Sequence, residues 1–277
     1  SYRITKILNH NSFMGIESKN NQECLIMGKG VAFGKKVGQT VSITGDARVY
    51  SLKELTDRGE AREIIKSVSP LCLELANEVL NQAEKEFGKV DRSILFTMAD
   101  HIDFAVRRIQ NGEQISNPLT DDIRIMFYKE YKVAGCIRDL LKEKLGIRID
   151  EHEIGYIALH VHAAIVDENV SQAMEIARTV RECICMVEEE TGKSIDVMSL
   201  SYNRLMNHVR YMVARAIHGE KLKMSLNDYM SVKFPGPYMT AEKICRKMEK
   251  SLKLPIPDIE IGYLAMHLER MMDREEE

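Results

Sequence analysis

The spacing of hydrophobic and polar residues changes once along the chain, near residue 50. Before that point, short apolar runs alternate with turn-forming Gly and Asn residues, which is typical of β-strands. The runs are Ile4–Leu8, Phe13–Ile16, Glu23–Met27, Val31–Phe33 and Thr40–Ile43. Beyond that point, apolar residues recur every three or four positions, as they do on amphipathic helices. The pattern therefore predicts a multi-domain α+β protein with a small β module ahead of a longer helical region.

The sequence marks where several helices begin and end. Ser69 followed by Pro70 is typical of an N-cap and a first helical residue, and Gly88 is typical of a helix end. Asp91 is a candidate cap for the next helix. The apolar face of that helix is formed by Ile94, Leu95, Met98, Ile102, Ala105 and Ile109. The chain thus predicts two consecutive amphipathic helices after residue 69.

Two further features concern the connections between elements. Asp150 and Glu153, three positions apart, form a pair like a capping box ahead of a helix over Ile154–Val166. The polar stretch 51–62 is the best candidate for a linker between the β module and the helices.

The helical region contains an internal repeat. The matching segments are 100–113 with 207–220, and 153–162 with 260–269. His101 falls opposite His208 and His160 opposite His267, so both matches are offset by 107 positions. One constant offset without a gap indicates two copies of one helical domain. We therefore predict domains at 1–57, 65–170 and 171–277.

Charge is distributed unevenly along the chain. Residues 1–40 hold six Lys or Arg and two Glu residues, a net +4, which leaves −7 for the remainder of a chain of net charge −3. A basic segment on an acidic body is typical of a nucleic-acid-binding module joined to a regulatory part. A chance excess of lysine on a solvated surface would give the same count, so charge alone leaves both interpretations open.

Composition narrows the class of protein. The six cysteines form no CxxC pair, which favours reduced thiols in a cytoplasmic protein over a disulfide framework or a zinc ribbon. No N-terminal run resembles a signal peptide, and the most apolar stretch, Ile154–Val166, is shorter than the roughly 20 residues of a membrane helix. We expect neither secretion nor membrane insertion. Because the β module buries little apolar area by itself, we also expect a symmetric dimer.

Four of the eight histidines follow the repeat. The two pairs are His101 with His160 and His208 with His267. The residues alone leave three roles open: hydrogen-bonded imidazoles at the core edge, metal ligands, or nucleophiles that accept a phosphoryl group. Two histidines per domain are few for a metal site. Arg108 shares the helix face of His101 and recurs as Arg215, and such a cation would attract a phosphoryl donor.

Together these motifs resemble the BglG/SacY-type (LicT-like) transcriptional antiterminators. In that family a co-antiterminator RNA-binding domain precedes two regulation domains of the sugar phosphotransferase system (PTS). The motifs are KILNHNS (6–12), MGKGVAFGKK (27–36), ADHIDFA (99–105), IALHVHAA (157–164), NHVRYMVARA (207–216) and LAMHLER (264–270). They occur in the family's order over essentially the whole chain. The resemblance implies a small antiparallel β RNA-binding domain followed by two homologous all-α helical bundles.

The resemblance also implies what the first domain binds. In the family this domain dimerises and holds an RNA hairpin that overlaps an intrinsic terminator. The implied RNA-binding residues are Lys6, Asn9, Asn11, Gly28, Lys29, Gly30 and Phe33. Asn offers a donor and an acceptor to base edges, Lys neutralises phosphate, and Phe stacks on an unpaired base. Position 29 holds Lys where relatives often have Arg, which weakens a bidentate contact there; a core aromatic stays the alternative for Phe33.

Regulation is the second implication of the resemblance. The implied phosphorylation sites are His101, His160, His208 and His267. A sugar-specific permease would silence the protein through the first regulation domain, and the carrier protein HPr would activate it through the second. No cofactor, metal, DNA partner or enzymatic activity is implied.

Two other classes of protein would require features that this sequence lacks. A PTS-regulated DNA-binding activator would share the helical domains, but it needs a helix-turn-helix that the Gly-rich residues 1–50 do not offer. An enzyme with a histidine-lined pocket would need a glycine-rich phosphate loop or a nucleophile elbow, which the sequence lacks.

Overall fold

The computed structural model describes residues 1–43, 45–56 and 58–273. The predicted domain limits at 57 and 277 fall outside these residues. The division into domains at 1–57, 65–170 and 171–277 remains a prediction. By contacts the chain forms two compact units: Ser1–Asn117 with Phe127–Val170, and Pro118–Met126 with Ser171–Glu277. An antiparallel sheet followed by helices confirms the predicted fold class.

A five-stranded antiparallel sheet opens the first unit, in the order β4-β1-β2-β3-β5. Its strands are β1 (Tyr2–Asn9), β2 (Ser12–Glu17), β3 (Glu23–Met27), β4 (Thr40–Val41) and β5 (Arg48–Ser51). Side chains alternate between the two faces of each strand, so that one face forms a small core. That core contains Ile4, Phe13, Cys24, Ile26, Ala32 and Val41.

The predicted strand at Val31–Phe33 is wrong. These residues form consecutive turns, in which Val31 N donates to Gly28 O at 3.1 Å and Phe33 N to Gly30 O at 3.0 Å. Gly30 adopts a φ of +67°, which bends the chain away from an extended conformation. The sequence also missed β5, which pairs with β3 at the sheet edge.

The described residues of the predicted linker at 51–62 include regular secondary structure. Strands β6 (Leu55–Thr56) and β7 (Gly59–Glu60) form a short hairpin, and α1 (Ala61–Ser67) follows directly. Thr56 Oγ1 closes the hairpin by donating to Gly59 O at 2.7 Å. Because Leu52 and Ala61 are buried at either side of it, the polar segment is anchored at both ends.

The remaining helices of the first unit are α2 (Pro70–Phe87), α3 (Leu95–Gln110) after a 3₁₀ turn at Arg92–Ile94, α5 (Tyr128–Ala134), α6 (Ile137–Leu145) and α7 (Glu151–Ile165). Of these helices, α2, α3 and α7 begin and end close to the predicted limits, and α5 and α6 were not predicted. Ser69 Oγ accepts from Leu71 N, and Gly88 ends α2 with a φ of +81°. Asp150 Oδ1 accepts from Glu153 N at 2.9 Å, so Asp150 caps α7.

All secondary-structure elements in the described residues of the second unit are helices. It contains α4 (Thr120–Met126), α8 (Val170–Thr191), α9 (Leu200–His218), α10 (Asn227–Lys233), α11 (Pro235–Leu252) and α12 (Ile259–Asp273). The start of α12 lies very close to α10: Gly262 N donates to Asn227 Oδ1 at 2.9 Å, and a side chain at position 262 would overlap Asn227. None of the helices in the described part of the chain combines the length and apolar character needed to cross a membrane.

Candidate RNA-binding surface and histidine pairs

The structure brings the two predicted histidine pairs together. His101 on α3 and His160 on α7 have ring centroids 5.5 Å apart. His208 on α9 and His267 on α12 are stacked, with centroids 4.5 Å apart. Each pair therefore joins two helices of one repeat, as the common spacing of 59 positions predicted.

A buried glutamate lies beside the first pair. Glu153 is 1% exposed, and its Oε2 lies 3.1 Å from Nε2 of His101. Its Oε1 accepts from Arg108 Nη2 at 2.8 Å and Nε at 3.0 Å. Since an ionised carboxylate only accepts hydrogen bonds, Nε2 of His101 carries a proton.

The second copy repeats the ion pair. Arg215 Nε donates to Glu260 Oε1 at 2.7 Å and its Nη2 to Oε2 at 2.9 Å, and Glu260 is 2% exposed. Both members are offset by 107 positions from Arg108 and Glu153. The sequence interpretation missed these glutamates because it gave Glu153 a capping role. Their identical place in the two repeats was the signal that could have found them.

Burial favours the neutral state of His160, His208 and His267. Burial and the charges of His101 and Arg58 place the pKa of His160 well below its usual value. Burial and the charges of His267 and Arg215 lower the pKa of His208 to about 3. Burial, Arg270 and Arg204 lower the pKa of His267 as well. A neutral imidazole has a lone pair, so these rings retain the nucleophilic form at neutral pH.

Neighbouring charges also determine the protonation state of Glu153. Burial alone would raise the pKa of Glu153, but the hydrogen bonds and charges of His101 and Arg108 outweigh it and lower the pKa. Glu153 is therefore an anion that holds Arg108 next to the histidine pair.

One histidine outside the repeat is also buried. His162 Nδ1 lies 3.0 Å from Glu130 Oε1, and its Nε2 lies 3.2 Å from Glu168 Oε2. The second copy has Glu269 at the matching position. This bridge is specific to the first copy, and the sequence gave no signal for it. In the described residues, no cluster of three or more His, Cys, Asp or Glu side chains could hold a metal ion.

Six of the seven predicted RNA-binding residues lie in two hydrogen-bonded loops at one end of the sheet. The loops are the β1–β2 turn, with Asn9 and Asn11, and the segment after β3, with Gly28, Lys29, Gly30 and Phe33. Gly28 N donates to Asn11 O at 2.9 Å, and Gly30 N donates to Asn11 Oδ1 at 2.8 Å. Lys6 is exposed on β1, three residues before Asn9.

Phe33 is the exposed apolar side chain of this surface. It is 69% exposed, which excludes the alternative of a core aromatic. His10 packs edge to face against it with ring centroids 5.4 Å apart. The ring of Phe33 thus contacts His10 and remains largely exposed to a stacking partner.

Comparison with known domain families decides the identity of the two parts of the chain. The family of the CAT RNA binding domain matches residues 2–58, and that of the PRD domain matches residues 73–164 and 181–271. The chain belongs to the CAT–PRD antiterminator family.

Antiterminators of this family match the chain along nearly its whole length. It is 28% identical over 271 residues to "Protein GlcT" of Staphylococcus haemolyticus, covering 96% of this chain and 95% of that one. It is 26% identical over 274 residues to "Transcription antiterminator LicT" of Bacillus subtilis, covering 98% and 99%. The "Beta-glucoside operon antiterminator" of Dickeya chrysanthemi is 27% identical over 273 residues, covering 97% and 96%.

A solved structure agrees with the first unit of this antiterminator. A crystal structure of GlcT CAT-PRDI superposes with a TM-score of 0.51 at 28% identity, over 60% of this chain and 98% of that one. The resemblance drawn from the sequence is thereby confirmed, and the chain is a regulatory RNA-binding antiterminator with two PTS regulation domains.

Proposed function

We propose that this antiterminator binds, as a cytoplasmic homodimer, an RNA hairpin that overlaps an intrinsic terminator. Holding the hairpin prevents the terminator from forming, so that transcription continues. The protein performs this task without turning over a substrate. Phosphorylation of histidines in its two regulation domains sets its activity.

The RNA is bound by the loop surface at the end of the sheet. The proposed contacts are Lys6, Asn9, Asn11, Gly28, Lys29, Gly30 and Phe33. Two lysines, an exposed aromatic ring and glycines that admit a close backbone approach suit an RNA with unpaired bases. Phe33 stacks on one such base, and Lys6 and Lys29 neutralise phosphates.

The phosphoryl groups are accepted by His101 and His160 in the first regulation domain and by His208 and His267 in the second. The observation that carries this proposal is the Arg–Glu ion pair that recurs beside each histidine pair. A lone pair of the imidazole forms the new N–P bond while the donor's bond to phosphorus breaks, its electrons leaving with the donor. Arg108 or Arg215 then pairs with the phosphoryl oxygens.

The two domains take their phosphoryl groups from different donors. A sugar-specific PTS permease modifies the first domain and silences the protein, and HPr modifies the second and activates it. Each phosphoryl group adds about −1.5 to −2 charges at neutral pH. At a two-fold interface this charge faces its own copy, so a single modification destabilises or rearranges the dimer.

Binding of the full-length protein to RNA tests this function. The probe is an imperfect RNA hairpin from the leader of its own operon, with duplex DNA of the same sequence as competitor and a salt titration to separate phosphate attraction from specific contacts. We expect tight RNA binding that the DNA does not displace. Binding to the DNA instead, or to neither, would contradict the proposal.

A further inference from the structure

We infer that Glu74 on α2 competes with RNA by occupying the amide groups of Asn9 and Asn11. This inference rests on the proposed RNA-binding surface, and it concerns how the first regulation domain restrains that surface. It follows from the way in which the β1–β2 turn uses its two asparagines.

The side-chain oxygens of both asparagines are used within the sheet module. Asn9 Oδ1 accepts from Asn11 N at 2.9 Å and from Ser12 Oγ at 2.8 Å. Asn11 Oδ1 accepts from Gly30 N at 2.8 Å. These bonds fix the turn and join it to the loop after β3. The two NH₂ groups take no part in these bonds and are the donors that can contact a ligand.

Both NH₂ groups point to the same oxygen of the first regulation domain. Asn9 Nδ2 donates to Glu74 Oε1 at 2.5 Å, and Asn11 Nδ2 donates to that atom at 3.4 Å. Two donors that converge on one point suit an electron-rich acceptor, such as a phosphate oxygen or a base carbonyl. Glu74 supplies such an acceptor from inside the protein.

The contact belongs to a wider polar face of α2 that packs against the β module. Asn77 lies three positions after Glu74, and its Oδ1 accepts from Tyr50 OH at 2.6 Å. Glu84 lies ten positions after Glu74, and its Oε2 accepts from Arg48 Nη2 at 2.6 Å. Spacings of three and ten place these side chains on one face of the helix. Arg92 closes the cluster by donating to both Tyr50 and Asn77. The packing of α2 against the β module therefore places Glu74 next to Asn9 and Asn11.

Docking of α2 has two consequences for RNA. The two amides are already paired, so RNA must displace the carboxylate before it can use them. The carboxylate also brings a negative charge to the place where a phosphate would lie. The apparent affinity of the full chain for RNA is then lowered by the fraction of molecules in which α2 covers the asparagines.

The test is the affinity of full-length Glu74→Ala for the operon-leader RNA hairpin at fixed salt. We expect a gain of about tenfold over the wild type, because a hydrogen bond to a charged group is lost only from the closed form. Glu86→Ala is the matched control: it removes the same charge from an exposed position of the same helix. We expect it to change affinity much less.

A second pair of variants separates this inference from the proposed function. Asn9→Asp and Asn11→Asp keep the oxygens that brace the turn and remove the donors. In the Glu74→Ala background each should weaken RNA binding. If they do, but Glu74→Ala gains nothing or no more than Glu86→Ala, the competition is wrong and the RNA surface stands. If they leave the affinity unchanged even in that background, the asparagines are not RNA contacts, and both proposals fail for these residues.

Discussion

Arg108 Nη2 donates to Glu153 Oε1 across 2.8 Å and thereby ties α3 to α7 directly beside the first histidine pair. The same pair recurs 107 positions later between α9 and α12. A phosphoryl group on a neighbouring imidazole would offer Arg108 a second, more highly charged partner. In both regulation domains, the proposed phosphorylation would therefore act on the packing of two helices.

The buried carboxylate should contribute to stability. Glu153→Gln removes the charge opposite Arg108, and we expect the free energy of unfolding to fall by about 2 kcal/mol. Denaturant unfolding of the full-length protein measures this loss. Glu151→Gln is the control, because Glu151 lies on α7 like Glu153 but forms an exposed ion pair, with Arg138 of α6. It should cost less than about 1 kcal/mol, and equal losses would show that the buried pair is not specially stabilising.

Stability should decrease on mild acidification because of His208. Its pKa is lowered to about 3 in the folded state by burial, His267 and Arg215, against about 6.5 in an unfolded chain. Between these values the unfolded state binds more protons, so the free energy of unfolding falls as the pH is lowered, by at most about 1.4 kcal/mol per pH unit.

Unfolding at pH 7 and pH 5.5 measures this dependence. Glu153 keeps its charge in this range because its pKa is lowered. We expect a smaller loss between the two pH values in His208→Gln than in the wild type. His218→Gln, at an exposed position of the same helix, should behave like the wild type. Identical pH dependence in all three proteins would show that His208 does not titrate as described.

The sequence predicted features that depend on local backbone chemistry. Ser69 and Asp150 cap helices and Gly88 ends one, because their side chains or backbone freedom act within a few residues. Long-range partners were not predictable in the same way. Glu153 fits a capping box, but its carboxylate turns to Arg108, 45 positions away in sequence.

Two predictions for the sheet module and the segment after it differ from the structure. Val31–Phe33 has the composition of a strand, but the flanking Gly30 and Gly34, both with positive φ, bend it into turns. The stretch 51–62 has the composition of a linker, but its described residues include β6, β7 and the start of α1, next to the buried Leu52. Local glycine conformation accounts for the first difference, and tertiary burial outweighs local propensity in the second.

Close packing between α10 and α12 should tolerate no side chain at position 262. A Cβ on Gly262 would lie 2.7 Å from Asn227 Oδ1 and 2.8 Å from Asn227 N. We expect Gly262→Ala to cost about 1–3 kcal/mol in unfolding free energy, because backbone must shift. Gly236→Ala is the control: a Cβ there would meet nothing within 4 Å, and alanine favours a helix by about 0.5–1 kcal/mol. Equal effects of the two substitutions would contradict the packing described.

The exposed ring of Phe33 should serve binding and not stability. Phe33→Ala should leave the unfolding free energy unchanged within about 0.5 kcal/mol and weaken binding of the operon-leader RNA by about tenfold or more. Leu55→Ala removes another exposed apolar side chain, 80% accessible, and should leave RNA binding unchanged. Unchanged RNA affinity of Phe33→Ala would remove this residue from the proposed surface.

The most direct test of the account is terminator read-through in a purified transcription system. The template carries the leader and terminator of the operon, and the full-length protein is added before and after phosphorylation by purified PTS proteins. We predict that the unmodified protein raises read-through, that phosphorylation of the first regulation domain suppresses it, and that His101→Ala together with His160→Ala removes the suppression. Read-through that does not respond to the protein, or a suppression that persists without both histidines, would contradict the account.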